Sequence, residues 1–468
     1  MKTLKRNALT IAERPIKVIQ FGEGNFLRGF VDWIIDVMNE KTSFNGNVHI
    51  VQPLATGLAD MIENQDGLYH VLLEGIHRGK TIQESRLITS VEGASNPFED
   101  YSNYLSLADN KDLKFIISNT TEAGIAYDPE DKAHTILPVT FPGKLTALLY
   151  QRFKTFEGQK DAGLVIIPCE LIEKNGEQLE SCVLQYAKLW DLPAAFSSWI
   201  KDANSFCNTL VDRIVPGFPK DTIKEIQQNL GFEDQLVVMA EPFHLWVIEG
   251  PENLKGIFPA EEAGLEVKFV KDLSPYRTRK VRILNGAHTA LVPVAYLAGL
   301  RTVREAVEDP HIGKYINETI FSEIIPTLDL SEDELKQFAI DVLDRFKNPF
   351  IRHELASIAL NSISKFKVRV LPSLLAYKQV KGTWPDRLTY SLANLIMFYN
   401  PTIGCPINDD EAYCEFFSHL WNSENILDTV YKTLSNITFW GEDLTLHAGL
   451  TEKVTEQLNL VASQKQQC

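Results

Sequence analysis

Cysteine is scarce in this 468-residue chain, at six residues (Cys169, Cys182, Cys207, Cys405, Cys414 and Cys468), and no two stand at CxxC spacing. So few thiols in so long a chain exclude a disulfide framework and argue against a structural zinc site. Long apolar runs are missing too, so no segment is expected to cross a membrane. The opening MKTLKRNALTIAERP lacks the apolar stretch of a secretory signal. Positive charge is short: 46 Lys plus Arg stand against 62 Asp plus Glu, a formal net charge of −16. That balance speaks against nucleic acid and anionic membrane as partners, since both need a positive surface. There is no clear internal repeat, and no low-complexity segment beyond the polar tail from Gln464. What remains is the expectation of a cytoplasmic, metal-poor globular protein of two or three domains.

The first half alternates short β-rich runs with helical patterns. Residues 16–21, 48–51, 114–118 and 164–167 read as strands, and Phe26 to Met38 as an amphipathic helix with Phe30, Trp33, Ile34, Val37 and Met38 on one face. Strand–helix alternation predicts a doubly wound, Rossmann-type α/β fold with a parallel sheet covered on both faces. After about residue 270 the pattern turns helical. Ser331–Glu334 reads as a capping box before Leu335, Phe338, Ala339, Val342 and Phe346, and helical spacing recurs over 388–398, 412–421 and 426–434. The predicted boundary lies in 258–274, giving an α/β domain over 1–265 and a mainly helical domain over 270–468.

The first strand runs into Gly22-Glu23-Gly24-Asn25-Phe26 and then into the helix. Glycines at GxG spacing allow a tight turn and close approach of the backbone to a pyrophosphate, whose charge suits the helix N-terminus. The third glycine of the fuller motif is replaced by Leu27. The second strand ends Val51-Gln52-Pro53, with neither a carboxylate for ribose hydroxyls nor an arginine for a 2′-phosphate, so the residues leave NAD or NADP open. Candidate cofactor contacts are Phe21, Gly22, Gly24, Asn25, Phe26 and Gln52, with Asn119 and Thr121 after the fourth strand.

The most informative segment is Lys280-Val-Arg-Ile-Leu-Asn285-Gly-Ala-His288. On an α-helix Lys280, His288 and Asn285 fall at about 0°, 80° and 140°, one broad face. Lysine can exchange a proton, while Asn and His can donate hydrogen bonds to an oxygen gaining negative charge. The same pattern also fits a basic, solvated helix start with a core histidine.

This Lys-x4-Asn-x2-His segment resembles the active-site motif of the mannitol dehydrogenase family, the polyol-specific long-chain dehydrogenases. Three further stretches match in order: Gly22-x-Gly24-x-Phe26-x-Arg28, Asn208-Thr-Leu-Val-Asp212-Arg213-Ile-Val-Pro216, and Glu241-Pro242-Phe243-His-Leu-Trp246-Val-Ile-Glu249. The resemblance implies metal-independent hydride transfer between NAD and a sugar or sugar-acid carbonyl, with Lys280 as general acid and base and Asn285 and His288 polarising or positioning the substrate oxygen. Asp212 matches a family acid near the site, or forms a structural ion pair with Arg213. Where mannitol dehydrogenases carry Cys-Asp-Asn this chain has Cys169-Glu170-Leu171, and where they carry a glutamate before the lysine it has Arg277. An arginine there favours an anionic substrate. The stretches Pro168-Cys-Glu-Leu-Ile and Phe21–Arg28 resemble the branch of the family that reduces a hexuronate with NADH.

A second basic island supports a carboxylate substrate. From Asn361 to Pro385 stand Lys365, Lys367, Arg369, Lys378 and Lys381, with no Asp or Glu. The resemblance makes Arg369, and either Lys378 or Lys381, candidates for substrate contact. The basic island favours one small anion as partner, and the resemblance implies a sugar acid, tagaturonate first. Fructuronate or a neutral polyol, or a nucleotide-binding protein without catalysis, are the alternatives.

Overall fold

The structure, a computed structural model, describes residues 2–121, 123–423 and 425–466. It divides into two compact units, Met1–Glu74 with Ile82–Leu273, and Gly75–Thr81 with Ser274–Cys468. The polar tail and Cys468 lie partly or wholly outside the described residues; Cys169, Cys182, Cys207 and Cys414 are free thiols.

The first unit is organised by six parallel strands: β1 (Ile16–Phe21), β2 (Asn47–Val51), β3 (Val91–Ser95), β4 (Phe115–Ser118), β5 (Val165–Pro168) and β6 (Ser205–Phe206). Their order across the sheet is β3-β2-β1-β4-β5-β6, so the direction of winding reverses between β1 and β4. Side chains alternate faces along each strand, and both faces are covered, which is why these strands read as nearly continuous apolar runs. Val18, Val48, Ile50, Phe115, Ile117 and Ile167 enter one core with Phe30, Ile34 and Trp246. Their neighbours Ile19, Phe21, Val51, Ile116 and Ile166 enter the other with Leu145, Leu148 and Val183. The first core belongs to α1 (Trp33–Lys41), the second to α2 (Phe141–Thr155), α3 (Asn175–Leu189) and α4 (Ala194–Ala203).

Three smaller sheets went unread in the sequence, the least of them Lys2–Thr3 with Phe232–Glu233. Asn208–Asp212 pairs antiparallel with Leu245–Glu249, which pairs parallel with Val267–Val270. Tyr69–His77 and Lys80–Ile88 form a third sheet with Val238–Ala240. Outside the Gly75–Thr81 segment, the second unit is helical: α5 (Ser274–Arg279), α6 (Gly286–Leu297), α7 (Glu332–Phe346), α8 (Ser362–Arg369), α9 (Leu371–Lys381), α10 (Asp386–Phe398) and α11 (Leu450–Gln466) are its main pieces. Helix α10 packs along α6 and α11. The predicted capping box at Ser331 is half formed. Ser331 accepts the Glu334 N–H, but the Glu334 carboxylate pairs with buried Arg279, whose guanidinium also lies over the Tyr276 and Phe338 rings. A complete box stands instead at Thr302 and Glu305. Among the described residues no helix is long and apolar enough to cross a membrane.

One buried carboxyl stands out in the first unit. Asp32 is fully buried and accepts from the Tyr69 hydroxyl at 2.6 Å and from Gln20 Nε2 at 3.4 Å, while its Oδ1 and Gln20 Oε1 are acceptors without partners. Burial, against these bonds and Arg28, pushes its carboxyl up to about 7. A carboxyl raised on folding takes up a proton, so its contribution is most favourable at low pH and is lost as pH rises through about 7. Asp32→Asn keeps an acceptor for Tyr69 and removes the charge. Its melting temperature relative to the parent should therefore be higher near pH 8.5 than near pH 5, by about 2–4 °C. A pH-independent difference would show that Asp32 stays ionised in the fold.

Candidate active site

At the end of β1 the chain makes the turn the glycines predicted. Gly22 has φ +120°, and a methyl carbon built on it would stand 2.9 Å from the Asn119 carbonyl oxygen and 3.2 Å from Leu27 Cδ1. Gly24 differs: a methyl there would meet nothing within 4 Å, so this backbone faces open space at the carboxyl ends of the strands. Helical residues then run on from Asn25 through a π-helical segment, Arg28–Asp32, into α1. A bare backbone at a helix start, beside the point where the sheet reverses, fits a dinucleotide pyrophosphate.

The missing third glycine is supplied two residues later than the motif predicts. Leu27 is buried beneath the turn, and Gly29 makes the close packing, since a methyl on it would lie 2.9 Å from Val238 Cγ1 and 3.1 Å from Val215 Cγ1. Arg28 holds the loop from below. Its Nε donates to Glu23 O at 2.9 Å, Nη2 to Asn25 Oδ1 at 2.9 Å and Nη1 to Leu236 O at 2.6 Å, with the guanidinium over the Tyr69 ring.

The candidate cofactor residues separate accordingly. Gly22, Gly24 and Asn25 form the loop, and Phe26 stacks on Phe30 with centroids 5.1 Å apart. Phe21 requires correction. Its side chain is fully buried against Tyr104 and Phe141, and its carbonyl accepts from Asn119 N, so strand alternation turns it into the core. Gln52 is likewise committed, donating to Leu54 O and accepting from Ala59 N, which folds the loop after β2. Asn119 Nδ2 donates to Cys169 O, and Thr121 is exposed with φ +85°, an uncommon conformation for a β-branched residue. Glu170, between Cys169 and the Leu171 that takes the place of the family's asparagine, is buried and accepts from Ser118 Oγ, Thr120 N and Thr120 Oγ1, each at 3.0 Å. It ties the ends of β4 and β5 together.

Other motif residues brace this end of the sheet. Asn208 Oδ1 accepts from Gly176 and Glu177 N–H at the start of α3, and Thr209 N donates to Asn175 Oδ1. Arg213 donates to Glu241 O and Gly29 O and lies over the Trp33 ring, 4.3 Å from its centroid. Asp212 is buried at the end of its strand, opposite Leu245.

The second unit carries the proposed chemistry. Residues Lys280–Asn285 form a π-helical segment between α5 and α6, where the sequence suggested a plain α-helix. Its wider i→i+5 turn brings residues five apart closer around the axis than the 140° or so of an α-helix. Lys280 and Asn285 therefore share a narrower face than α-helical spacing gives. Both are half-buried, as is Arg277. Gly286 makes a close approach possible, since a methyl there would stand 3.0 Å from Arg369 O. Arg282 Nη1 reinforces the approach by donating to Val368 O at 3.2 Å. The end of α8 is thus held against the segment that carries Lys280 and Asn285.

His288 stacks on Phe346, with centroids 4.1 Å apart and planes at 27°, and meets the His353 ring edge-on at 5.0 Å. Burial, then the charges of His353, Arg345 and Arg369, hold its imidazole well below the usual range, so it works as a neutral hydrogen-bonding group. Its buried Nε2 has no hydrogen-bond partner among the described residues. An unpartnered buried nitrogen costs about 1–3 kcal/mol, and this one is available to a bound group.

Arg369, a candidate from the sequence, lies at this cluster, whereas Arg345, Phe346 and His353 were not read as site residues. Arg345 was legible as a charge three residues after Val342 on an otherwise apolar helix stripe. Lys378 does not join the cluster: its ammonium turns to the far end of α9, donating to Gly382 O at 2.8 Å and lying over Trp384. Lys381 ends the same helix and is exposed. Among the described residues no group of three or more His, Cys, Asp or Glu side chains is placed to hold a metal ion.

The chain matches the mannitol dehydrogenase Rossmann domain over residues 16–259 and the mannitol dehydrogenase C-terminal domain over residues 272–462. It is 49% identical to an altronate oxidoreductase of Bacillus subtilis (strain 168), over 98% of this chain and 95% of the relative. It is 47% identical to an altronate oxidoreductase of Yersinia pestis, over 99% and 98%. Among solved structures, a substrate-free D-sorbitol dehydrogenase superposes with TM-score 0.81 at 22% identity, covering 99% of each chain. A Pseudomonas fluorescens mannitol 2-dehydrogenase in complex with NAD and D-mannitol gives 0.64 at 22%, covering 98% of this chain and 94% of the other. The structural likenesses carry the fold; the two domain matches and the full-length relatives carry the membership: this chain belongs to the mannitol dehydrogenase family.

Proposed function

We propose that the chain is an NAD-dependent oxidoreductase of the tagaturonate–altronate pair, reducing tagaturonate to altronate in hexuronate breakdown. The observation that carries this reading is likeness to altronate oxidoreductases at 49% identity over nearly the whole length of both chains. A cytoplasmic location goes with it, supported by the unbridged thiols of Cys169, Cys182, Cys207 and Cys414.

Bound NADH supplies the hydride. The residues of the chain supply the rest: Lys280 Nζ delivers a proton to the ketone oxygen as it gains charge, and takes it back in the reverse direction. Asn285, set near Lys280 by the π-helical turn, donates a hydrogen bond to the same oxygen. The neutral imidazole of His288 offers its unpartnered Nε2 for positioning. Arg369 and Arg277 provide cations for the carboxylate that distinguishes a sugar acid from a polyol.

A panel of tagaturonate, fructuronate and fructose, each with NADH and NADPH, tests the substrate. Tagaturonate with NADH should give the highest kcat/KM, and turnover of fructose alone would remove the sugar-acid reading. Lys280→Ala should lower kcat by roughly 10²-fold or more while NADH still binds, checked by turnover beside a binding titration. Arg369→Ala should act chiefly on KM, raising it about tenfold or more for the sugar acid, because the carboxylate is held equally in ground and transition states. Steady-state kinetics with an unchanged KM would move the carboxylate clamp elsewhere.

A further inference from the structure

The sequence lacks an acid at the end of β2, the usual partner of the adenosine ribose in a dinucleotide fold. The structure brings a carboxylate to that place from another element. Glu23, the middle residue of Gly22-Glu23-Gly24, folds across the end of β1 onto the loop after β2 and accepts the Leu58 N–H. Its Oε1 and the Gln52 side chain together fill the space beside Gly57, where a methyl group would overlap both. Gln52, in turn, is fixed by Leu54 O and Ala59 N. Glu23 is therefore a held group and not a solvated side chain at a turn.

The cation that acts on it, Arg28, lies beneath the loop, not in the loop after β2. Residues 52–58, Gln-Pro-Leu-Ala-Thr-Gly-Leu, contain no lysine or arginine. Arg28 is buried beneath the loop and spends its guanidinium on Glu23 O, Asn25 Oδ1 and Leu236 O. Gly24, immediately after Glu23, is the position whose missing side chain leaves open space. A carboxylate here can accept from ribose hydroxyls, and it repels a phosphate on the same ribose.

We infer that Glu23 is the residue that selects NAD over NADP, taking over from the glycine loop the role usually held by an acid at the end of the second strand. This rests on the NAD reading above and adds the group responsible for it. The test is binding, free of turnover: calorimetric titration of the purified protein with NADH and NADPH, and with the fragments 5′-ADP and 2′,5′-ADP. The parent should bind NADH at least about 100-fold more tightly than NADPH. Glu23→Gln retains an oxygen for the Leu58 N–H, and should shrink that ratio about tenfold or more, chiefly by tightening NADPH and 2′,5′-ADP. Glu23→Ser, which removes the reach to the ribose, should also weaken NADH. If both variants melt like the parent and keep its ratio, Glu23 is not the selector, although the NAD reading stands. A parent that prefers NADPH, or binds neither dinucleotide, would overturn the NAD reading itself and this inference with it.

Discussion

The contact between Gly286 and the carbonyl of Arg369 is the constraint on which the arrangement of the second unit turns. Two helical segments distant in sequence can come this close only where one has no side chain, and a methyl at Gly286 would already press on Arg369 O at 3.0 Å. The contact has two consequences. It places the end of α8, with Arg369, against the π-helical segment that carries Lys280 and Asn285. It also sets a cation near His288, one of the charges that keep its imidazole neutral. The π-helical turn adds its own effect, since the extra residue per turn is what aligns Lys280 with Asn285. Such turns are rarely kept without a functional reason, because their hydrogen bonding is poorer than that of an α-helix.

The first unit shows the same economy of glycine and arginine. Gly22 supplies an uncommon dihedral, Gly24 supplies open space, and Gly29 supplies close packing, so the three tasks of a dinucleotide motif survive although its spacing does not. Arg28 then replaces what a tighter motif would provide by sequence alone. Three hydrogen bonds to the loop and to Leu236 O hold the turn in shape from the buried side. A buried arginine is costly unless it is hydrogen-bonded, and this one stands against three acceptors and an aromatic face.

How much of this was legible depended on whether a residue's role is set locally. The strands of the parallel sheet were readable because both faces are apolar, and the helices of the second unit because one face is. The strands of the smaller sheets were not: Asn208–Asp212 pairs with Leu245–Glu249 and Tyr69–His77 with Val238–Ala240, partners far away in sequence. Phe21 and Phe26 flank one turn and read alike as cofactor contacts, yet strand alternation buries Phe21, while Phe26 stacks on Phe30. Glu334 had the spacing of a capping glutamate but was drawn to Arg279, a buried guanidinium whose charge makes the stronger claim on a carboxylate. Lys280, Asn285 and His288 were found together because one helical stretch carries all three. Arg345 and His353 were missed because only the tertiary fold brings them to His288.

The distribution of charge now reads differently from the run of cations in the sequence. Of Arg277, Arg279, Lys280 and Arg282, the second is buried in an ion pair and the fourth donates to Val368 O, so the run is in part scaffold. The cations that act on His288 are Arg345 and Arg369, and their effect has two sides. A positive field disfavours a proton on the imidazole, which keeps it neutral, and the same field favours a carboxylate nearby. These two are linked: an anion held by Arg369 cancels part of the field and makes a proton on His288 less costly than in the free protein. A neutral polyol would leave the field as it is. In a chain of net charge −16, Arg345 and Arg369 thus make the field at this one imidazole locally positive.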